Sequence, residues 1–337
     1  MTYIPDKTRY SNGMIYSYCG KSGLMLPKIS LGLWHNFGHA DSFEKSKDII
    51  HCAFDRGITH FDLANNYGPP PGSAEENFGK IFKEDLSAHR NEIIISTKAG
   101  HAMWDGPYGD GSSRKNLMSS LDQSLKRLQL EYVDIFYSHR YDGMTPVEET
   151  MQALIDVVKS GKALYVGISK YPPHMAEKAY KILESQGVHC LIHQDRYNLF
   201  SREVENGTLE TIERDGVGFS AFSPLAQGLL TDRYLNGIPE DSRVARNGFL
   251  KREQVTIEKI AVIRRLNDMA LSRGESLAQM ALNWLISDKR VTTVIVGASS
   301  VNQLINNLGT LDSPKLSEDE LKSIRSIVEM NHFDSPK

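Results

Sequence analysis

Three short apolar runs end in residue types that exchange protons. Asp62 follows the run 58–61, with Tyr67 five positions on in Asp62-Leu63-Ala64-Asn65-Asn66-Tyr67-Gly68; Lys98 follows Thr97 after the run 93–96; His139 follows Ser138 after the run 133–137. A carboxylate, a phenol, an ammonium and an imidazole brought to one place can donate a proton to a carbonyl oxygen. A free tyrosine titrates near ~10 and donates poorly at neutral pH. An ammonium about 4 Å away, at an effective dielectric of about 20, favours the phenolate by up to about 4 kcal/mol, enough to lower the phenol's pKa by up to roughly three. Asp62 would keep Lys98 protonated and in place, and His139 would orient the carbonyl or share the proton relay. Tyr67 would be the acid.

Such a quartet needs a scaffold that brings distant segments to one face. The β-branched runs 28–32, 58–61, 93–96, 133–137, 164–168, 191–193, 217–221 and 293–296 have the length and composition of buried parallel strands. Helix-period segments alternate with them. Thr145-Pro146-Val147-Glu148 offers a capping threonine, a first-turn proline and a glutamate three residues on, and Gly161 ends that helix. Phe43, Ile50, Ala53 and Phe54 share a face before Gly57, and Ser276 opens a helix that buries Leu277, Ala281, Trp284 and Leu285. Eight β/α units predict a closed (β/α)8 TIM barrel of the α/β class rather than an open sheet, so the strand-end residues belong at the C-terminal mouth. The segment 17–24 reads as an N-terminal hairpin that plugs the opposite mouth. Residues 231–251 are too long and polar for an ordinary connection and are expected to be a functional loop. The ends, 1–12 and 331–337, are expected to be loosely held.

Composition fits one enzyme-sized barrel spanning 1–337, without a linker. Against 42 Asp+Glu, 39 Lys+Arg leave a net charge of −3, which argues against bulk-charge binding of nucleic acid or an anionic membrane. No run reaches the roughly 18 apolar residues of a spanning helix, and no secretion signal is read at the start, so a cytoplasmic location is expected. Cys19, Cys52 and Cys190 are odd in number and far apart, which suits neither a disulfide framework nor a zinc site. His35, His39 and His101 lack an acidic partner at ligand spacing, so no metal is expected. Gly106, Gly109 and Gly111 do not form a dinucleotide-binding turn, and Gly20-Lys21-Ser22 has Ile15 where a phosphate loop needs glycine.

The segments Gly32-Leu33-Trp34, Asp62 to Gly68, Ser96-Thr97-Lys98-Ala99-Gly100, Ser138-His139-Arg140, Gly167-Ile168-Ser169, Gln194 to Asn198, Ser223-Pro224-Leu225 and Gly297-Ala298-Ser299-Ser300 resemble the aldo-keto reductase superfamily, in its order and over nearly the whole chain. Trp34-His35-Asn36-Phe37-Gly38 and Arg233-Tyr234-Leu235-Asn236-Gly237-Ile238-Pro239 look like the branch containing bacterial L-glyceraldehyde 3-phosphate reductases and voltage-gated potassium channel β subunits, the first being the closer match.

The resemblance implies reduction of small aldehydes such as L-glyceraldehyde 3-phosphate or methylglyoxal, NADPH as hydride donor, and Asp62, Tyr67, Lys98 and His139 as the catalytic tetrad. It implies Ser169 and Gln194 on the nicotinamide carboxamide, with Phe222 stacked under the ring. Ser223, Leu225 and Gln227 would follow the pyrophosphate; Arg233, Arg243, Gly297, Ser299, Gln303 and Asn307 would surround the adenine ribose and its phosphate. Lys170 joins the cofactor set although many members carry asparagine there, and Asn306 replaces a frequent glutamate. Trp34 is expected to meet cofactor and substrate, and His35, Trp104, Tyr108, Arg140 and Tyr141 to line the substrate pocket, with Arg140 a candidate for a substrate phosphate. Members of the branch are often tetramers or larger, which implies a homo-oligomer.

Two other functions compete. A channel β subunit keeps fold and cofactor but commonly has asparagine in place of the tetrad histidine, where this chain has His139. A Schiff-base aldolase using Lys98 would need a depressed lysine pKa, which Asp62 opposes.

A doubly charged 2′-phosphate is best held by arginine together with hydroxyl or amide donors and a helix N-terminus. At roughly 1.5–3 kcal/mol per charge-assisted contact, Arg233 and Arg243 together would favour NADPH over NADH by about a hundredfold or more. Replacing both with alanine is expected to weaken NADPH binding far more than NADH binding in a fluorescence titration. An equal loss for both cofactors would show that this loop does not read the 2′-phosphate.

Overall fold

The eight apolar runs all become strands of one sheet, and that sheet closes on itself. The computed structural model describes residues 3–239 and 250–329. A hairpin comes first, with β1 (Tyr16–Tyr18) antiparallel to β2 (Met25–Pro27). The barrel strands follow: β3 (Ile29–Gly32), β4 (His60–Asp62), β5 (Ile94–Ala99), β6 (Val133–Ser138), β7 (Ala163–Ser169), β8 (Cys190–Arg196), β9 (Gly218–Phe222) and β10 (Thr293–Val296). They pair in parallel in chain order, and β10 closes the ring against β3. Parallel neighbours need crossovers on the outside, and helices supply them, as in a (β/α)8 barrel. Among the described residues no helix is long and apolar enough to cross a membrane.

Local signals place the helices with one exception. Ser42 caps Phe43–Asp55 by accepting from the Lys45 N–H, and Ser276 with Gln279 forms a complete capping box on Leu277–Ser287. Val147–Lys159 begins without its expected cap. The Thr145 hydroxyl instead donates to Asp142 (2.7 Å), whose carboxylate also takes the Met144 and Thr145 N–H groups, and Pro146 occupies the cap position. A carboxylate already gathering backbone donors is the stronger acceptor for that hydroxyl.

Apolar side chains from strands and helices fill the layer between them, with Leu31, Phe61, Ile95, Phe136 and Ile168 meeting Ile50, Phe54, Leu121 and Leu154. A second cluster gathers Ile257–Ser272, Leu277–Ser287 and Glu318–Glu329, and Leu229, Leu230, Tyr234 and Leu250 pack into it. The long polar segment 231–251 is therefore fastened at both described ends. Its middle, including Arg243, lies outside the described residues, as do 331–337.

The N-terminal arm is more firmly held than its polar sequence suggests. Tyr3 stacks on His51 at 3.8 Å and donates to Asp55, and Arg9 reaches Glu92 at 2.5 Å while lying over the Phe54 ring. Burial of these side-chain stems, invisible in a count of polar residues, anchors the arm to the first helix.

The hairpin does plug the N-terminal mouth. Cys19 and Leu26 pack on Ile135, Tyr137, Leu191 and Ile192, and the Lys21 N–H donates to the Gly216 carbonyl (2.8 Å). Gly20 makes this contact possible: its φ is +57°, and a Cβ there would stand 2.1 Å from the Gly216 oxygen. Gly20→Ala is expected to destabilise the protein by about 1–3 kcal/mol, measured as a lower urea midpoint. An unchanged midpoint would mean that the plug is not tightly seated.

Candidate active site

Parallel register carries Asp62 and Lys98 to adjacent strand ends, since Asp62 at the end of β4 pairs with Ser96 of β5. Lys98 has no exposed surface, and its ammonium meets Asp62 Oδ2 (2.6 Å), the Leu63 carbonyl (2.6 Å) and, more loosely, the Tyr67 hydroxyl (3.5 Å). Each of the three N–H donors has a direction to point in. Tyr67 follows β4 by five residues, its ring 6.3 Å from Trp34 and 6.0 Å from His139. His139 is positioned by its backbone N–H on the Ala99 carbonyl (2.9 Å). The structure thus brings the four predicted residues together.

The electrostatics differ from the sequence-based expectation. Burial, reinforced by the negative charge of Asp62, pushes the Tyr67 phenol well above its ordinary pKa, so the field of Lys98 does not prevail in the resting site. Lys98 stands 2.6 Å from Asp62 and 3.5 Å from the phenol, so its charge is met first by the carboxylate, and burial of the phenol dominates. Tyr67 is a neutral phenol that keeps its proton. Burial also lowers the Lys98 pKa although Asp62 opposes it. The Lys98 nitrogen is nonetheless engaged by Asp62, the Leu63 carbonyl and the Tyr67 hydroxyl and has no exposed surface, which keeps it from a carbonyl carbon, so the aldolase reading is not favoured. Burial and then the nearby cation Lys98 hold His139 well below the usual imidazole range, leaving it neutral.

Beside Tyr67 opens a cavity of about 280 Å³. Its lining includes Trp34, His35, Asp62, Tyr67, Phe222, Ser223, Leu225, Gln227, Arg233, Gly297, Ser299 and Gln303. A nicotinamide dinucleotide fits the chemistry of this lining and its surroundings. Ser169 Oγ, Gln227 Oε1 and Asn307 Nδ2 are buried polar atoms without a hydrogen-bond partner, each of which a ligand amide, hydroxyl or phosphate could satisfy. A Cβ on Gly297 would meet only open space, so the backbone there is bare to a ligand. Ser300 caps Val301–Leu308 by accepting from the Gln303 N–H. The Gln303 side-chain oxygen Oε1, however, accepts from the N–H and hydroxyl of Ser299 (2.7 and 3.0 Å) rather than completing a box with Ser300.

Several expected residues have other partners in the structure. Gln194 donates to Asp62 Oδ1 (3.2 Å). Lys170, its pKa drawn down to about 8 by burial, meets His101 Nε2 at 3.1 Å, and the His101 ring sits edge-on to His139 at 4.4 Å. Arg140 braces a loop, donating to the Gly100 carbonyl (3.0 Å) and pairing with Asp110 (2.7 Å). Tyr141 packs against Tyr171 and the core; Tyr108 is 60% exposed, and neither it nor half-buried Trp104 lines the cavity. Asn306 ties two helices together through Ser276 and Gln279. Among the described residues no three His, Cys, Asp or Glu side chains gather as a metal site, and His39 pairs with Glu76.

Sequence reasoning missed Asn36, Thr231, Tyr234, Ile295 and Ala298, which also line the cavity. Asn36 sits at φ +72° and donates to the Ala298 carbonyl (3.1 Å), bridging the first and last βα loops. Asparagine tolerates that conformation, but its type alone gives no clue that it must adopt it.

The profile of the Aldo/keto reductase family matches residues 28–329. The chain is 57% identical over 329 residues to the L-glyceraldehyde 3-phosphate reductase of Escherichia coli O157:H7, covering 96% of this chain and 95% of that protein. The same-named protein of Escherichia coli strain K12 is 56% identical over the same length and shares. A probable voltage-gated potassium channel subunit beta of Oryza sativa subsp. japonica is 36% identical over 324 residues, 94% of this chain and 97% of that protein.

Removing the ammonium tests the buried pair itself. Lys98→Met leaves the Asp62 carboxylate buried and uncompensated, which is expected to cost about 3–5 kcal/mol at pH 8. Urea unfolding of both proteins at pH 8 measures this; an unchanged midpoint would show that Asp62 does not depend on Lys98 for compensation.

Proposed function

The chain belongs to the Aldo/keto reductase family and is an oxidoreductase, and from that premise we propose that it reduces small aldehydes to alcohols with NADPH. L-glyceraldehyde 3-phosphate is the preferred candidate substrate and methylglyoxal a second. The observation that carries this reading is the site of Tyr67: a phenol kept protonated by burial, at the edge of the cavity and within 3.5 Å of Lys98.

When bound, the nicotinamide supplies the hydride that reaches the carbonyl carbon. Tyr67 donates its proton to the carbonyl oxygen as negative charge grows there. Lys98 contributes most at that moment, since the phenolate forming 3.5 Å away is the charge its third N–H is free to meet. Asp62 holds the ammonium, and neutral His139 offers an N–H toward the carbonyl oxygen. Ser169 and Gln194 would hold the carboxamide and Phe222 the ring face, with Trp34 between cofactor and substrate. Arg233, Ser299 and Gln303, all in the lining of the cavity, support NADPH over NADH. Cytoplasmic location and a homo-oligomeric state belong to the same proposal. The channel-subunit reading has the lower identity behind it, and His139 supplies the imidazole that group commonly lacks.

NADPH oxidation with methylglyoxal, simple aldehydes and both enantiomers of glyceraldehyde 3-phosphate tests the proposal. Tyr67→Phe is expected to lower kcat by about 10²- to 10⁴-fold on every aldehyde turned over, while NADPH affinity stays within about twofold because the proton moves only in the transition state. Retained turnover in the variant would overturn the assignment of Tyr67.

A further inference from the structure

Asp62 Oδ2 is committed to Lys98, so the orientation of the carboxylate depends on what reaches Oδ1. Ser96 Oγ lies 2.7 Å from it, and Gln194 Nε2 lies 3.2 Å away. A carboxylate only accepts, so the single Ser96 proton points at Asp62. His60 Nε2 is 2.9 Å from the same hydroxyl, and with the serine proton already given, His60 must be the donor. Burial holds the His60 pKa down to about 4, so the ring is neutral and Nδ1 carries a lone pair. Ser30 Oγ, 2.9 Å from Nδ1, therefore donates to it and accepts in turn from Thr293 Oγ1 at 2.6 Å.

One directed chain results, Thr293 to Ser30 to His60 to Ser96 to Asp62. It crosses the neighbouring strands β10, β3, β4 and β5 inside the barrel. Thr293, Ser30, His60 and Ser96 have no exposed surface, and Asp62 has 2%. The chain also has a wrong alternative, because Ser96 Oγ stands 3.5 Å from the Phe61 carbonyl, a second acceptor for its proton. A donor fixed on the serine lone pair decides which way the hydroxyl turns.

Resting on the reductase reading above, we propose that His60 is a positioning residue for the reaction, acting through Ser96 to aim Asp62 and thereby to hold Lys98 against Tyr67. It touches neither substrate nor cofactor. Its loss frees Ser96 to turn toward Phe61, slackens the grip on Lys98 and weakens the stabilisation of the phenolate that forms at Tyr67, an effect confined to the transition state.

The test compares His60→Leu, His60→Gln and Ser96→Ala with the full wild-type chain, on whichever aldehyde the wild type reduces fastest. His60→Leu is expected to lower kcat about 10- to 100-fold, with KM and the NADPH dissociation constant within about twofold. His60→Gln should recover most of the rate, because the glutamine amide can replace the Nε2–H donor and the Nδ1 acceptor. Ser96→Ala should match His60→Leu, and the double variant should lose no more than either, since both break one chain. Full kcat in His60→Leu, a proportional loss of cofactor binding, or losses that multiply in the double variant would overturn the proposal. Should His60→Leu fail to fold, Ser96→Ala and His60→Gln carry the comparison. Nitrogen-15 correlation spectra of the wild-type imidazole give a readout without turnover: neutral, Nε2-protonated His60 is expected between pH 6 and 8. An Nδ1-protonated or cationic ring would overturn the proposal whether or not any aldehyde is reduced.

Discussion

A lysine ammonium with no exposed surface has to be satisfied from every side, and Lys98 imposes that demand on the C-terminal half of the barrel. Its desolvation is tolerable only with a carboxylate at contact distance and further acceptors for the remaining protons. Asp62, the Leu63 carbonyl and Tyr67 meet the requirement, and Asp62 must itself be held by Ser96 and Gln194. Strand register, the polar lining of the barrel and the course of the loop after β4 all serve this arrangement. The barrel is consequently not a uniform hydrocarbon core, for Ser30, His60, Ser96 and Thr293 occupy interior positions that apolar residues would fill more easily.

The pair also explains how a tyrosine can be both buried and useful. Burial, reinforced by the charge of Asp62, keeps the proton on Tyr67 in the resting site. In the proposed reaction proton transfer changes the balance, because a negative phenolate facing the third N–H of Lys98 gains an attraction that the neutral phenol lacks. Stabilisation of that kind appears only as charge develops, which is the property that separates catalysis from tight binding of the ground state.

Backbone strain marks the same face. Among the described residues, six other than glycine have positive φ, and Asn36, Lys170, Ser223, Ala226 and Gln227 belong to the loops at the C-terminal mouth. Gln129 is the exception, ending a helix on the outside. Such conformations persist where packing enforces them. Here the turn from Ser223 to Gly228 is backed by Leu229, Leu230 and Tyr234 in the second core cluster, so the outer helices hold the cavity wall in shape.

Periodicity and residue type by themselves determined the architecture and the placing of four proton-exchanging side chains at one mouth. Buried parallel strands need continuous apolar runs, and residues just past those runs must sit at one mouth, so the gathering of Asp62, Tyr67, Lys98 and His139 was legible from the sequence alone. What only the tertiary structure decided depends on which acceptor lies closest in space. Thr145 gave up its cap to Asp142, and Arg140 turned to Gly100 and Asp110 rather than into the pocket. The polar N-terminal arm docked through Tyr3 and Arg9. The acidity of Tyr67 was likewise beyond the sequence: residue types announce an ammonium near a phenol, but the opposing charge of Asp62 and the cost of burial depend on distances of a few ångströms and on the absence of water.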